Sequence, residues 1–380
     1  MLSSVHQALD NRVFYREART LVNAGYRVTL IAVHPRDEVK DGVRIRALPN
    51  VPRQKRPLLW RKLVQMAVET DADVYHIHDP ELLLITPWLR RRTGKPTIYD
   101  IHEANADFIA VKDYLPGWAR QPLGALVRWL EPHLARRESG LIFADDAIAR
   151  TFESFTGPKI TLFNYPGAEL IKQGETGGQP YAERPPVVIY LGGLERNRGS
   201  GLMIDAFARV RREIPVARLL IVGHFQPTDL EQEVYAHAER YGIAKAVRIT
   251  GRVPFDQIGD YLHRARVGWV TWQACPKNKK NVPTKLFEYM AFGLPVVSSD
   301  LPSVRPFLHQ GYNGHLVPAS DHEAHAAVIS RLLQNPEEAL QVGQAGQQMV
   351  NESFNWARME PLLLALYENV ISTGAILSSE

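Results

Sequence analysis

Apolar positions along this chain alternate between two periods. Short runs rich in Val, Ile and Leu read as buried strands, and the segments between them carry apolar residues at helical spacing. In the first half the strand-like runs are 26–33, 43–48, 73–78, 96–102, 141–145 and 160–164. Helical patterns run from Phe14 to Leu21, closed by Asn23-Ala24-Gly25, then around 57–70 and from Glu81 to Arg92. A second series begins with VVIYLGG at 187 and continues through strands at 217–223, 246–251 and 266–270. It reaches the helix around Leu286, Phe287, Met290 and Ala291, which Gly293-Leu294-Pro295 stops before a strand opening at Val296. Strands alternating with helices predict α/β architecture: two doubly wound, Rossmann-like parallel-sheet domains facing a cleft. The expected limits are 1–170, a Gly/Pro-rich linker at 171–186, 187–354, and a terminal helix in 355–380 that crosses back to the first domain.

Composition narrows the class. With 380 residues, 45% hydrophobic and 23% charged, the chain suits two ordinary globular cores. Its single Cys275 rules out a disulfide framework or a cysteine zinc cluster. No apolar run approaches the roughly 20 residues of a membrane span. The start MLSSVHQALDNR does not read as a signal peptide, so a cytoplasmic location is expected. Net charge is only +4, yet Arg53, Lys55, Arg56, Arg61 and Lys62 surround Leu58, Leu59 and Trp60, and Arg90, Arg91, Arg92 and Lys95 form a second cluster. Solvated helix ends explain such runs; basic residues beside Trp and Leu also suit a peripheral contact with anionic lipid at the inner face of a membrane. No nucleic-acid motif is present, and nucleic acid is not expected as a partner.

Candidate chemistry sits at the ends of the strand-like runs. Tyr190-Leu-Gly-Gly-Leu-Glu-Arg-Asn-Arg-Gly199 joins a strand to a helix through Gly192 and Gly193. Such a turn lets a phosphate approach backbone N–H groups, although it is equally a plain tight turn and lacks P-loop spacing. Lys285 and Glu288, three apart on a helix, share a face: the lysine can meet a phosphate and the carboxylate two ribose hydroxyls. In the first half, His76-Ile-His-Asp-Pro-Glu81 and Asp100-Ile-His-Glu103 end neighbouring strands. They fit substrate contacts in a cleft or, as a competing reading, a metal site built from His76, His78, Asp79 and His102. The loop Ser3–Arg12, with His6, Asp10 and Arg12, occupies a position that commonly lines such a cleft, while Asp10 also reads as a helix cap.

These motifs in this order resemble family 4 of the retaining glycosyltransferases, which have the two-domain GT-B fold. The resemblance covers nearly the whole chain and rests on SSVHQALDNRVFYREARTLVNAGYRVTLIA, DVYHIHDPELL, TIYDIHE, YLGGLERNRGSGLMIDAF, GRVPFDQIGDYLHRARVGWV and VPTKLFEYMAFGLPVVSSDLPSVRPFL. It implies a UDP- or GDP-sugar donor held by Gly192, Gly193, Arg196, Arg198, Arg252, Val253, Thr284, Lys285, Leu286 and Glu288. His102, Arg198 and Lys285 are implied as catalytic residues. His6, Asp10, Arg12, His78, Asp79, Glu103, Asn164 and Lys280 are implied as substrate contacts. The reaction implied is attack of an acceptor hydroxyl at the anomeric carbon with retention, on a polysaccharide, lipid-linked or small-molecule acceptor. Protein cations would stabilise the leaving diphosphate, so no metal or other cofactor is expected. Three departures stand out: Lys280 occupies the position of the family's first glutamate, Gly193 that of a common arginine, and the first strand is clipped to about MLSSV. A nucleotide-sugar hydrolase or epimerase, or a silent nucleotide-sugar binding subunit, are the competing functions.

Overall fold

The structure, a computed structural model, describes residues 1–112 and 115–377. It divides into two compact units, Met1–Asn164 with Trp356–Glu380, and Tyr165–Asn355. The division falls ahead of the expected boundary at 170. Residues 171–186, expected as a linker, belong to the second unit. There the helix Ala168–Glu175 packs on the helix Lys285–Ala291, and Gly174 approaches Ala291 so closely that a Cβ would lie 2.1 Å from its carbonyl oxygen. Tyr181 is buried and donates its hydroxyl to the Arg266 carbonyl at 2.6 Å.

The first unit is an eight-stranded sheet. Its strands are β1 (Leu2–Gln7), β2 (Thr29–Val33), β3 (Glu38–Lys40), β4 (Val43–Leu48), β5 (Tyr75–Ile77), β6 (Thr97–Ile101), β7 (Gly140–Phe143) and β8 (Lys159–Thr161). Their order is β3-β4-β2-β1-β5-β6-β7-β8, parallel except for the edge pair β3–β4. Strand order reverses between β1 and β5, and in such sheets the crevice beyond the carboxyl ends at that point receives ligands. β5, β6 and β7 are buried throughout, which explains their unbroken apolar runs. The terminal helix Glu360–Leu377 packs within this unit: Leu366 and Val370 press on Gly140, and Trp356 donates its indole N–H to Thr20 at 2.8 Å.

The second unit has β9 (Val187–Leu191), β10 (Leu194–Glu195), β11 (Arg218–Val222), β12 (Phe225–Gln226), β13 (Val247–Ile249), β14 (Val267–Val270), β15 (Val296–Ser299) and β16 (Gly314–Val317). Six of them form a parallel sheet in the order β13-β11-β9-β14-β15-β16, the Rossmann arrangement, with its switch point between β9 and β14. Pairing of β9 with β14 stops at Gly268↔Ile189, and Tyr289 fills the fork beyond. Its hydroxyl accepts from Leu191 N–H at 2.7 Å and donates to the Trp269 carbonyl at 3.3 Å. Gly268 has no room for a Cβ, which would stand 2.4 Å from the Tyr289 ring. β10 and β12 form a separate two-stranded parallel ribbon within the loops that follow β9 and β11.

Candidate active site

Beyond β9 the chain turns through Gly192, whose φ of +103° is open to glycine at little cost. The neighbouring loop presses on it: a Cβ on Gly223 would stand 2.1 Å from the Gly192 carbonyl oxygen. Gly199, at φ +77°, closes the loop, and its Cβ would meet the Thr271 carbonyl oxygen at 2.0 Å. The helix Ser200–Glu213 begins there, and the N–H groups of a first helical turn lack intrahelical acceptors. The Thr271 hydroxyl donates to the Arg198 carbonyl at 2.6 Å, and Asn278 donates to the carbonyls of Asn197 and Gln273. The glycine loop is therefore clamped to the segment after β14.

Two cations border this loop. Arg198 is half-buried, donates to the Gly193 carbonyl at 3.0 Å and lies over the Trp272 ring at 5.2 Å. Lys285 is buried, with its Nζ 3.9 Å from the Tyr190 ring centre and without a hydrogen-bond acceptor. Burial, and then the Arg198 charge, hold its pKa well below the usual lysine value. A Cβ on Gly192 would lie 3.6 Å from this Nζ, so the turn and the ammonium bound one space. Glu288 is buried one helical turn further along the same face. Thr284 is half-buried at the start of that helix. An isolated bridge between Gly223 and Gly251 brings the backbone before exposed Arg252 and half-buried Val253 beside the glycine loop.

Two residues expected in the donor set are placed elsewhere. Arg196 forms a bidentate pair with Glu233 at 2.6 and 2.7 Å on the surface, because the helix Asp229–Arg240 offers it a carboxylate. Leu286 is a core residue whose N–H is bonded to the Pro283 carbonyl at 3.0 Å. Lys280 is half-buried on the turn it shares with buried Lys277 and Asn278. Sequence reading missed Tyr190, Trp272 and Tyr289, which wall Lys285 and hold the strand fork. For Tyr190 and Trp272 the available signal was their place at or just past strand ends; Tyr289 sits one residue after Glu288 in its helix.

In the first unit the turn Val13–Ala18 is wider than an α-helix: Glu17 N–H bonds Arg12 O at 3.0 Å, five residues back. That widening lets Arg12 and Glu17 project together, with Nε and Oε1 3.0 Å apart. Arg12 also grips Asp100 through two 2.8 Å bonds and donates to the Leu162 carbonyl and Asn164 Oδ1. Asp100, despite its burial, is held well below the usual carboxylate range by the Arg12 charge and then by His102. Burial and the Asp100 charge push Glu17 well above it.

His102 Nε2 lies 2.7 Å from Asp100 Oδ2. With the Asp100 carboxylate as acceptor, Nε2 is the ring nitrogen that donates, and Nδ1 is left for another partner. The His102 ring is 4.7 Å from that of His6, and both are partly exposed. Burial works against the His6 imidazolium, but its bond to Asp10 and the charges of Asp79, Asp10 and Asp100 outweigh this and raise its pKa. Asp10 is correspondingly lowered: its own burial opposes this, but the His6 bond prevails. Half-buried Glu103 follows His102.

Arg12, His78 and Asp79 are not the open substrate contacts expected. Arg12 is locked in the ion pairs above. His78 is fully buried with Nδ1 3.3 Å from Asp100, and burial drops its pKa to about 4. The Asp79 carboxylate is tied to β1, accepting from the Ser3 hydroxyl, the Ser4 N–H and the Val5 N–H. This also breaks up the metal grouping of His76, His78, Asp79 and His102. The cluster whose ligand atoms lie within 4.8 Å of one another is instead Glu17, His76, His78 and Asp100. Arg12 already supplies a cation to both carboxylates of that cluster, and His76 Nδ1 is hydrogen-bonded to the Tyr367 hydroxyl at 2.8 Å, so the group reads as an internal ion network.

Comparison with known proteins agrees with this architecture. A glycosyl transferase 4-like domain model matches residues 11–163, and the model of glycosyl transferases group 1 matches 175–349. The chain is therefore a group 1 glycosyltransferase with the GT-B fold. It is 24% identical over 321 residues to a phosphatidyl-myo-inositol mannosyltransferase of Mycobacterium leprae, covering 84% of this chain and 79% of that protein. A glycogen synthase of Mycobacterium tuberculosis is 23% identical over 361 residues, covering 88% and 83%. Among solved structures, sucrose-phosphate synthase from Thermosynechococcus elongatus superposes with TM-score 0.73 at 20% identity, covering 93% of this chain and 92% of that one. Anabaena HepE in complex with UDP and glucose gives 0.73 at 16% identity, covering 97% and 98%. Among the described residues no helix is long and apolar enough to cross a membrane.

Proposed function

We propose that this glycosyltransferase moves a sugar from a nucleoside-diphosphate sugar to a hydroxyl of a polysaccharide, lipid-linked or small-molecule acceptor, with retention at the anomeric carbon. The observation that carries the donor reading is Lys285: a buried amine without a hydrogen-bond partner, beside the Gly192 turn, where a Cβ would stand 3.6 Å from its Nζ. An unsatisfied buried cation is costly, and a diphosphate would supply the missing partner. Arg198 and the first turn of the helix after Gly199 add donors for the charge that develops on the leaving diphosphate. Glu288 accepts from the ribose hydroxyls, and the backbone at Arg252–Val253 meets the base. The HepE structure holds UDP and glucose, which supports a nucleotide-sugar donor here; UDP and GDP are the two bases to test.

On the first unit we assign His6, Asp10, His102 and Glu103 to sugar hydroxyls, with His102 Nδ1 as the acceptor that positions one of them. No metal is required by this scheme, since the cations are protein side chains.

Titration calorimetry with UDP and GDP tests the site. Glu288→Gln should weaken the preferred nucleotide by about 10- to 100-fold, the usual cost of a charged hydrogen bond to a ligand. Unchanged affinity would remove the ribose assignment. Proton NMR of the product from a nucleotide sugar and a cognate acceptor reads the anomeric outcome, and an inverted product would end the retaining mechanism.

A further inference from the structure

The first unit carries an apolar and cationic surface that the strand-end site does not use. Its centre is the helix Gly117–Ala135, whose rotation is fixed by its buried face. Gly124 packs against Ala106, and Glu131 accepts from the Tyr99 hydroxyl at 2.7 Å and from Asn105 at 2.8 Å. At about 100° per residue, Trp118, Pro122, Leu126, Trp129 and Arg136 then form one stripe on the opposite side. That stripe is open: Trp118 is 83% exposed, Trp129 65% and Leu126 51%. Two tryptophans left in water on one helix face are unusual for a surface that stays solvated.

The charge around the stripe is predominantly cationic. Segments 53–68, 86–95 and 117–137 carry thirteen Lys and Arg and one acidic residue, the buried Glu131, although the whole chain is only +4. Some of these cations pair with acidic groups outside the segments; among the described residues these include Arg56 with Glu81, Lys95 with Asp73, and Arg128 with Asp107. The segments are joined in space. Arg90 donates to the Arg137 carbonyl, the helix Gly117–Ala135 packs on the turn Pro80–Leu84, and Arg56 pairs with Glu81 on that turn. Leu84 on this turn and Leu58 beyond Arg56 are 54% and 78% exposed.

We propose that this face rests on an anionic lipid surface, with the helix Gly117–Ala135 lying in the headgroup plane. Indole rings favour that depth, having an apolar body and a polar N–H, and Arg and Lys reach headgroup phosphates from beside them. A protein partner would need many acidic groups matched to three separate segments. A bilayer supplies them at any spacing. The inference is independent of the nucleotide-site reading, because its test involves neither nucleotide nor turnover.

The full-length protein is co-sedimented with vesicles of phosphatidylcholine alone and of phosphatidylcholine with phosphatidylglycerol. Binding is expected only to the anionic vesicles, weakening as salt rises, with a blue shift of tryptophan emission. The exposed pair W118S/W129S should lower the partition coefficient by roughly tenfold or more, and R61E/K62E should lower it as well, both with wild-type circular dichroism. Equal binding to neutral vesicles would overturn the proposal. So would full binding by W118S/W129S, or a wild-type dimer that W118S/W129S dissociates, since a second copy would then cover the face.

Discussion

Lys285 and His102 show how burial assigns chemistry to single residues. Burial and the Arg198 charge bring the Lys285 amine closer to losing its proton in the free protein, whereas a bound diphosphate favours the charged form. Nucleotide binding should therefore take up protons. Affinity should be flat below the depressed pKa and fall as pH rises above it, toward the higher value of the complex. Calorimetry in two buffers of different ionisation enthalpy measures that uptake, and its absence at every pH would mean that Lys285 meets no phosphate. At His102 the controlling group is Asp100, a positioning residue. Asp100→Asn should still fold, because Glu17 then ionises against Arg12. Turnover should drop by about 10- to 100-fold with a shifted pH profile and little change in KM. Adding His102→Ala should cost little more, since the two act as a unit. Additive losses would separate them.

Two helical elements carry more than their packing. The wide turn at Val13–Ala18 brings Arg12 and Glu17 to one side, where regular α-helical spacing would hold them well apart around the axis. The helix Gly117–Ala135 buries Glu131, and desolvation raises that carboxyl to about 7 despite its bonds from Tyr99 and Asn105. A carboxyl with a raised folded pKa stabilises the fold less as pH rises, because the native state keeps a proton that the unfolded chain has lost. Stability from this group should thus decline between about pH 4.5 and 7 by about 3 kcal/mol and stay level above. Glu131→Gln keeps an oxygen for both donors and should flatten that decline. Urea unfolding at about pH 5 and about pH 8 checks it. An unchanged slope in the variant would place the titration elsewhere.

At the scale of the molecule, each unit has its own sheet and the chain enters the first unit twice, through Met1–Asn164 and Trp356–Glu380. The proposed donor residues all belong to the second unit. A nucleoside diphosphate at about 100 times its Kd should stabilise that unit by about 2.7 kcal/mol. Hydrogen exchange should show the slowing concentrated at the loops after β9 and β14, with the β5–β7 amides of the first unit unchanged. Slowing confined to the first unit would relocate the donor site.

The sequence by itself determined the α/β alternation, the strand-end positions of Gly192, His102 and Glu103, and the shared face of Lys285 and Glu288. These are local properties: apolar period reports which side of an element is buried, and spacing reports which side chains lie on one face. The edge strands β3 and β16 escaped because EVK holds one apolar residue between two charges and GHLV begins with a glycine and a histidine. Only the tertiary structure decided the fate of the polar residues. Arg12 found Asp100 and Leu162, His76 found Tyr367, and Arg196 turned to Glu233, each partner tens to hundreds of residues away. A polar side chain takes its meaning from whether it is buried and what it meets there, and the chain sets that only by folding. That is why Arg12, His78 and Asp79 became internal braces and the tryptophans of the helix Gly117–Ala135 faced outward.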